Sequence, residues 1–214
     1  LLRKEINELL DRENDMWWQR SRALWMQQGD RNTKFLHATA SQRRQKNTIV
    51  GLQDEQGNWM ESDEDIERIV LEYYQSIYQS DMPSGFDAVV HAIEPKVTPE
   101  MNASLTKEFH PDEVWIALQQ MHPLKSPGPD GMPPIFYQKF WNIVGPNVIE
   151  CVLNILNSGI MPPDFNATHI CLIPKRNNPQ KVTDYRPISL TNVLSRIVSK
   201  VLANRLKKIL PQII

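Results

Sequence analysis

The stretch from Thr168 to Leu210 limits the possible folds most. A short apolar, partly β-branched run, Thr168–Ile173, is ended by Pro174. Lys175 and Arg176 stand at its tip, Asn177–Thr183 is a polar turn, and Tyr185–Leu190 is an extended return. Apolar runs of this length bounded by turn residues read as strands. The period then changes. Val193, Leu194, Ile197, Val201, Leu202, Leu206, Ile209 and Leu210 form a helical stripe, with Lys200, Arg205, Lys207 and Lys208 mostly on the other face. Strand, basic turn, return strand and long amphipathic helix predict an α+β chain, mostly helical, with a small antiparallel hairpin. Lys175 and Arg186 would face one another across the strand pair, and two cations so held suit a triphosphate or a strand backbone.

Charge is segregated along the chain. The net charge of −1 says nothing by itself about a polyanionic partner, so only the distribution counts. Residues 165–214 hold nine Lys/Arg against one acid, Asp184. Residues 51–100 hold twelve acids and two bases, Arg68 and Lys96, and make a poor nucleic-acid surface. Residues 16–50 hold seven bases and one acid, interleaved with Trp17, Trp18, Trp25 and Phe35. Cations neutralise phosphate and rings stack on bases, so this block suits RNA or a single strand. Charge pattern alone favours instead an amphipathic helix pair with its Trp residues in the core and its Arg residues solvated.

Several classes are disfavoured. Cys151 and Cys171 lie twenty residues apart without a CxxC or nearby His pair, which argues for a reducing compartment and against zinc or a disulfide. No apolar run approaches the ~20 residues of a membrane span, and no signal peptide opens the chain. The chain starts at Leu1 and stops just after an apolar helix, as expected of a piece of a longer polypeptide. The length allows one to two domains.

Local signals place the other elements. Residues 1–28 read as helix with Gly29 as its stop, and Asp54–Gly57 as the turn of a short hairpin. Ser62 opens a helix ending near Tyr78; the acids Asp63, Glu64 and Asp65 suit its first turn rather than a metal. Asp81–Pro99 is a linker candidate, and Pro111 starts a helix with Val114, Leu118 and Met121 on one side. Residues 122–134 contain five prolines and two glycines and read as an irregular loop, in which Asp130 forms a turn. Ile135–Val144 reads as a short helix broken by Gly145-Pro146, and Pro146–Asn157 as a second, capped by Gly159. Pro162-Pro163 forces an extended exit.

Three blocks carry a family resemblance: WQRSRALWMQQGDRNTKFLHATASQRRQKNTI (18–49), KSPGPDGMPPIFYQKFW (125–141) and HICLIPKRNNPQKVTDYRPISLTNVLSRIVSKVLANRL (169–206). The chain resembles, over nearly its whole length, the reverse transcriptase of plant-type non-LTR (LINE-like) retrotransposons. The resemblance implies that residues 1–98 are a helical region between endonuclease and polymerase. Residues 99–214 would be the N-terminal extension and fingers of a right-hand polymerase, truncated before the palm. It implies that Arg186 contacts the incoming nucleotide triphosphate, with Lys175 on phosphate or template. Lys125 and Arg176 would be template contacts. The implied partners are an RNA template, a DNA primer, deoxynucleotide triphosphates, and the palm, thumb and endonuclease of the same polyprotein. No membrane is implied, and a nuclear or cytoplasmic site is expected for the family.

Polymerases of this kind use Mg²⁺ held by carboxylates. The family's Asp motifs follow the LANRL helix, and neither occurs here, where KKILPQII closes the sequence. The chain alone is expected to bind no Mg²⁺, to contain no catalytic residue, and to be inactive. Two other readings stand beside the polymerase fragment: a degenerate element-derived remnant that binds RNA at most, and a helical protein-interaction module. The palm would normally cover the apolar face of the last helix, so an exposed stripe is expected there.

Overall fold

The computed structural model describes residues 2–21, 33–82, 84–92 and 94–214. These residues are mostly helical with two small antiparallel strand pairs, the α+β class expected. The expected helix stop at Gly29, with Arg22, Trp25 and Arg31, lies outside the described residues. The chain divides into two compact units: Leu1–Gln79 with Leu172–Pro187, and Ser80–Cys171 with Ile188–Ile214.

The first unit begins with α1 (Leu2–Ser21) and α2 (Thr33–Asn47), which pack on one another. The Trp17 ring lies 3.6 Å from the His37 ring between centroids. Leu2, Ile6, Leu9 and Leu10 of α1 are exposed. The hairpin β1 (Leu52–Gln53) and β2 (Trp59–Met60) pairs Leu52 with Met60 around the predicted turn. Asp54 holds that turn by accepting the Asn58 backbone N–H at 2.7 Å, and Gly57 takes φ +88°. α3 (Asp63–Tyr78) starts as its sequence requires: Ser62 Oγ accepts the Asp65 N–H at 3.1 Å. Its acidic first turn is a helix start. Leu52, Ile69, Val182 and Tyr185 form this unit's core, so residues from α3, β1 and the far hairpin close one apolar centre.

The second unit is a helical cluster. A short helix, α4 (Asp87–His91), lies within the linker candidate, and α5 (Pro99–Thr106) follows it with Thr98 as N-cap. α6 (Pro111–Gln119) begins at its proline and buries Val114, Ala117 and Leu118. Glu113 reaches back to accept the His110 N–H at 3.1 Å, satisfying one amide at the helix start. α7 (Pro134–Lys139) and α8 (Trp141–Ser158) correct the expected division. The break falls at Phe140 (φ −103°, ψ 21°), and α8 runs unbroken through Gly145-Pro146. Pro146 lies in the second turn, where its fixed φ suits a helix and one backbone bond is forgone. Gly145 is needed for a neighbour: a Cβ there would stand 2.9 Å from the Trp141 ring. Gly159 caps α8 at φ +71°, as expected. After Pro162 the chain turns at Asp164 (φ +58°) rather than continuing extended.

β3 (Thr168–Pro174) and β4 (Tyr185–Thr191) pair as the second sheet, and α9 (Val193–Ile213) follows. The buried side of α9 is Val193, Ile197, Val198, Val201, Arg205 and Ile209, packed with α6 and α8. This corrects the stripe read from sequence, because Leu202, Leu206 and Leu210 are exposed and Arg205 is buried. No helix among the described residues is long and apolar enough to cross a membrane. Both cysteines are free thiols.

Candidate nucleotide and template interface

The basic turn between β3 and β4 is built around Asp184. A 3₁₀ turn, Val182–Asp184, buries Val182 and brings the carboxylate back over the loop. Asp184 Oδ2 accepts the N–H groups of Gln180 at 2.9 Å and Lys181 at 3.0 Å, and Arg176 Nη2 at 2.7 Å. These donors hold its pKa down to about 2, the two backbone amides contributing most. Asn178, at φ +53°, lies in the same turn.

Of the four site residues expected from sequence, three lie in this unit. Lys175 is exposed; its backbone N–H donates to the Asp184 carbonyl at 2.8 Å, and its Nζ donates to the Thr183 carbonyl at 2.8 Å. The hairpin therefore sets Lys175 against Asp184, with Arg186 two residues further along β4. Arg176 is exposed but tied to Asp184. Arg186 is exposed, and its guanidinium has no hydrogen-bond or ion-pair partner among the described residues. At this turn the unit therefore offers the Arg186 guanidinium two residues beyond a carboxylate whose Oδ2 already accepts three N–H groups.

Lys125 belongs to the second unit, exposed on the Pro-Gly loop. That loop is fixed to the start of α9. Asn192 Oδ1 accepts the Asp130 N–H at 3.2 Å, and Arg196 Nη2 donates to the Ser126 carbonyl at 3.0 Å. Gly128 lies against Asn192 so closely that a Cβ would stand 2.4 Å from its backbone nitrogen. Asp130 also accepts the Met132 N–H at 3.0 Å, the turn role expected for it. Lys125 thus projects from a loop of defined shape.

Arg205, expected on the solvated face, is instead the polar centre of the second unit. Its Nε and Nη2 donate to the two Glu113 oxygens at 2.8 Å each. Nη1 donates to the carbonyls of Leu105, at 2.9 Å, and Lys107; Nη2 also donates to Glu108 O at 2.8 Å. The Phe109 ring centre lies 3.5 Å from the guanidinium carbon. All five guanidinium donors are thus used, and no phosphate role is open to this residue. The one sequence signal for it is its row: Ile197, Val201, Arg205 and Ile209 recur every four residues along the helix.

No family model matches the chain. The chain is 29% identical over 197 residues to the Transposon TX1 uncharacterized 149 kDa protein of Xenopus laevis, an alignment covering 91% of this chain and 15% of that protein. It is 26% identical over 141 residues to the Retrovirus-related Pol polyprotein from type-2 retrotransposable element R2DM of Drosophila melanogaster, covering 65% of this chain and 12% of the polyprotein. The chain thus spans a small part of the length of these curated relatives. Its homologues are polyproteins of non-LTR retrotransposons, the group its sequence resembles.

Proposed function

We propose that the chain supplies template binding and incoming-nucleotide phosphate binding to an RNA-directed DNA polymerase of a non-LTR retrotransposon, as part of its fingers. The observation that carries this reading is Arg186, an exposed guanidinium on β4 without a partner among the described residues. A guanidinium binds phosphate through two parallel N–H bonds, and among the described residues every donor of the Arg186 guanidinium is free for them. Lys175, just past the end of β3, donates through its backbone N–H to Asp184 and through Nζ to Thr183, and adds a second cation to the same unit. Lys125 and Arg176 are assigned to template phosphates. The homology to retrotransposon polyproteins supports the reading.

Mg²⁺ would supply activation of the primer 3′-oxygen and charge neutralisation in the complete polymerase. The described residues of this chain do not fit it: no group of three or more His, Cys, Asp or Glu comes together as a metal site. We therefore assign no transfer step to these residues, and propose that the carboxylates come from elsewhere in the same polyprotein.

A salt titration of RNA binding by the 214-residue chain tests the nucleic-acid part. Phosphate contacts give a steep fall of log K with log salt, and Lys125→Ala lowers that slope by about 0.7, as expected for one single-strand phosphate contact. A flat salt dependence or no RNA binding overturns the reading in favour of a protein-interaction module.

A further inference from the structure

The first unit contains an open cleft of about 480 Å³ that the basic turn only partly accounts for. Lys46 of α2, Thr48 just beyond that helix, Trp59 of β2, and Arg176, Asn178 and Gln180 of the turn are among the residues that line it. No carboxylate lines it. Lys46 has no ion-pair partner among the described residues, and Arg176 is fixed in place by Asp184.

Trp59 is the feature that gives this cleft a chemistry. Its ring packs against Gly51, where a Cβ would stand 2.5 Å from the ring carbon Cζ2. Its indole N–H donates to Glu61 Oε1 at 2.9 Å. The ring is thereby held in one orientation, yet the residue remains 43% exposed. A core tryptophan would bury that area, and an unrestrained surface tryptophan would lack both contacts. An oriented aromatic ring beside cations is what single-stranded nucleic acid uses, with bases on the ring and phosphates on the cations.

We propose that Trp59 is a stacking platform for an unpaired base of single-stranded RNA, with Lys46 and Arg176 on the adjoining phosphates. This rests on the reading of the chain as a template-binding module and locates one contact point within it. Neither residue 46 nor residue 59 is among the template contacts implied by the family resemblance.

The test is binding of a short, unstructured, labelled RNA to the full chain, followed by fluorescence anisotropy across a salt series. Trp59→Ala weakens binding about tenfold, the loss expected for one stacked base, and leaves the salt slope unchanged. Trp59→Phe retains most of the affinity, and Lys46→Ala lowers the slope by about 0.7. Wild-type affinity for Trp59→Ala, with RNA binding and its slope otherwise intact, overturns the platform and leaves the template-binding reading standing. Absence of RNA binding by the wild-type chain overturns both. A second readout does not depend on the alanine variant folding. The emission difference between wild type and Trp59→Phe is quenched by saturating RNA if the base stacks there, and unquenched emission overturns the proposal.

Discussion

Arg205 and Glu113, 92 residues apart in sequence, meet as a two-bond fork, each carboxylate oxygen accepting one N–H at 2.8 Å. The fork ties α9 to the first turn of α6. The remaining arginine donors tie both to the Leu105 carbonyl in the last turn of α5, left open by the helix end, and to the Glu108 carbonyl just beyond it. Arg205 is only 9% exposed in its side chain, so solvent does little to screen the pair. Removing one partner of such a pair leaves buried polar groups unmatched. Arg205→Ala is expected to cost about 3 kcal/mol, and Arg205→Lys nearly as much, because a single ammonium does not reproduce the fork. Equilibrium urea unfolding of each variant checks this. A midpoint unchanged in Arg205→Lys would mean that the charge, not the planar geometry, holds the junction.

The same pair sets an acid limit on the second unit. The Arg205 hydrogen bonds hold the Glu113 carboxyl below its ordinary value of 4.5. A carboxyl with a depressed folded pKa contributes stability that is complete above its unfolded value and is lost as pH falls through the folded one. Thermal unfolding of the second unit should therefore be insensitive to Glu113 above about pH 4.5 and weaken progressively below it. Glu113→Gln should be less stable at neutral pH and lose less on acidification.

Asp184 makes a parallel prediction for the first unit. Its pKa falls from 3.8 to about 2 because two backbone amides and Arg176 donate to the ionised form. Its contribution is complete above pH 3.8 and disappears as the pH approaches about 2. Asp184→Asn keeps the shape but removes the charge and one acceptor. It should flatten the melting-temperature profile between those pH values and increase hydrogen exchange at the Gln180 and Lys181 amides.

Gly128 should tolerate no side chain. A Cβ would meet Asn192 backbone and side-chain atoms at 2.4 Å, and the helix start behind them cannot retreat. Gly128→Ala is expected to cost about 1–3 kcal/mol, the range for forcing atoms into a packed site. Gly131 takes φ +71° but meets no atom within 4 Å, so Gly131→Ala should show only backbone strain and a smaller loss. Comparing the two midpoints separates close packing from conformational preference as the reason for glycine in this loop.

The elements with local signals were legible in the sequence. Ser62 with its acids, the Asp54–Gly57 turn, Pro111 and Gly159 each act within four residues, so chain-local chemistry decides them. Positions decided by distant partners were read less well. Arg205 looks like one more base on a basic helix until Glu113 and the α5 carbonyls arrive. Phe140, not the Gly145-Pro146 pair, divides α7 from α8, because Gly145 serves the Trp141 ring. At the candidate site, the sequence brought out the cations but not Asp184 as the organiser of their turn. An Asp three residues after Lys181 was the available signal, since its carboxylate can reach back to that amide.

The nucleotide role of Arg186 is tested most directly in an assembled polymerase that carries these 214 residues together with a catalytic palm. The apparent KM for deoxynucleotide triphosphate is compared between wild type and Arg186→Ala on the same RNA template and DNA primer. Loss of a charge-assisted phosphate contact of about 1.5–3 kcal/mol predicts a KM raised roughly 10- to 150-fold, with primer–template affinity little changed. An unchanged nucleotide KM would contradict the assignment of Arg186 to the incoming triphosphate.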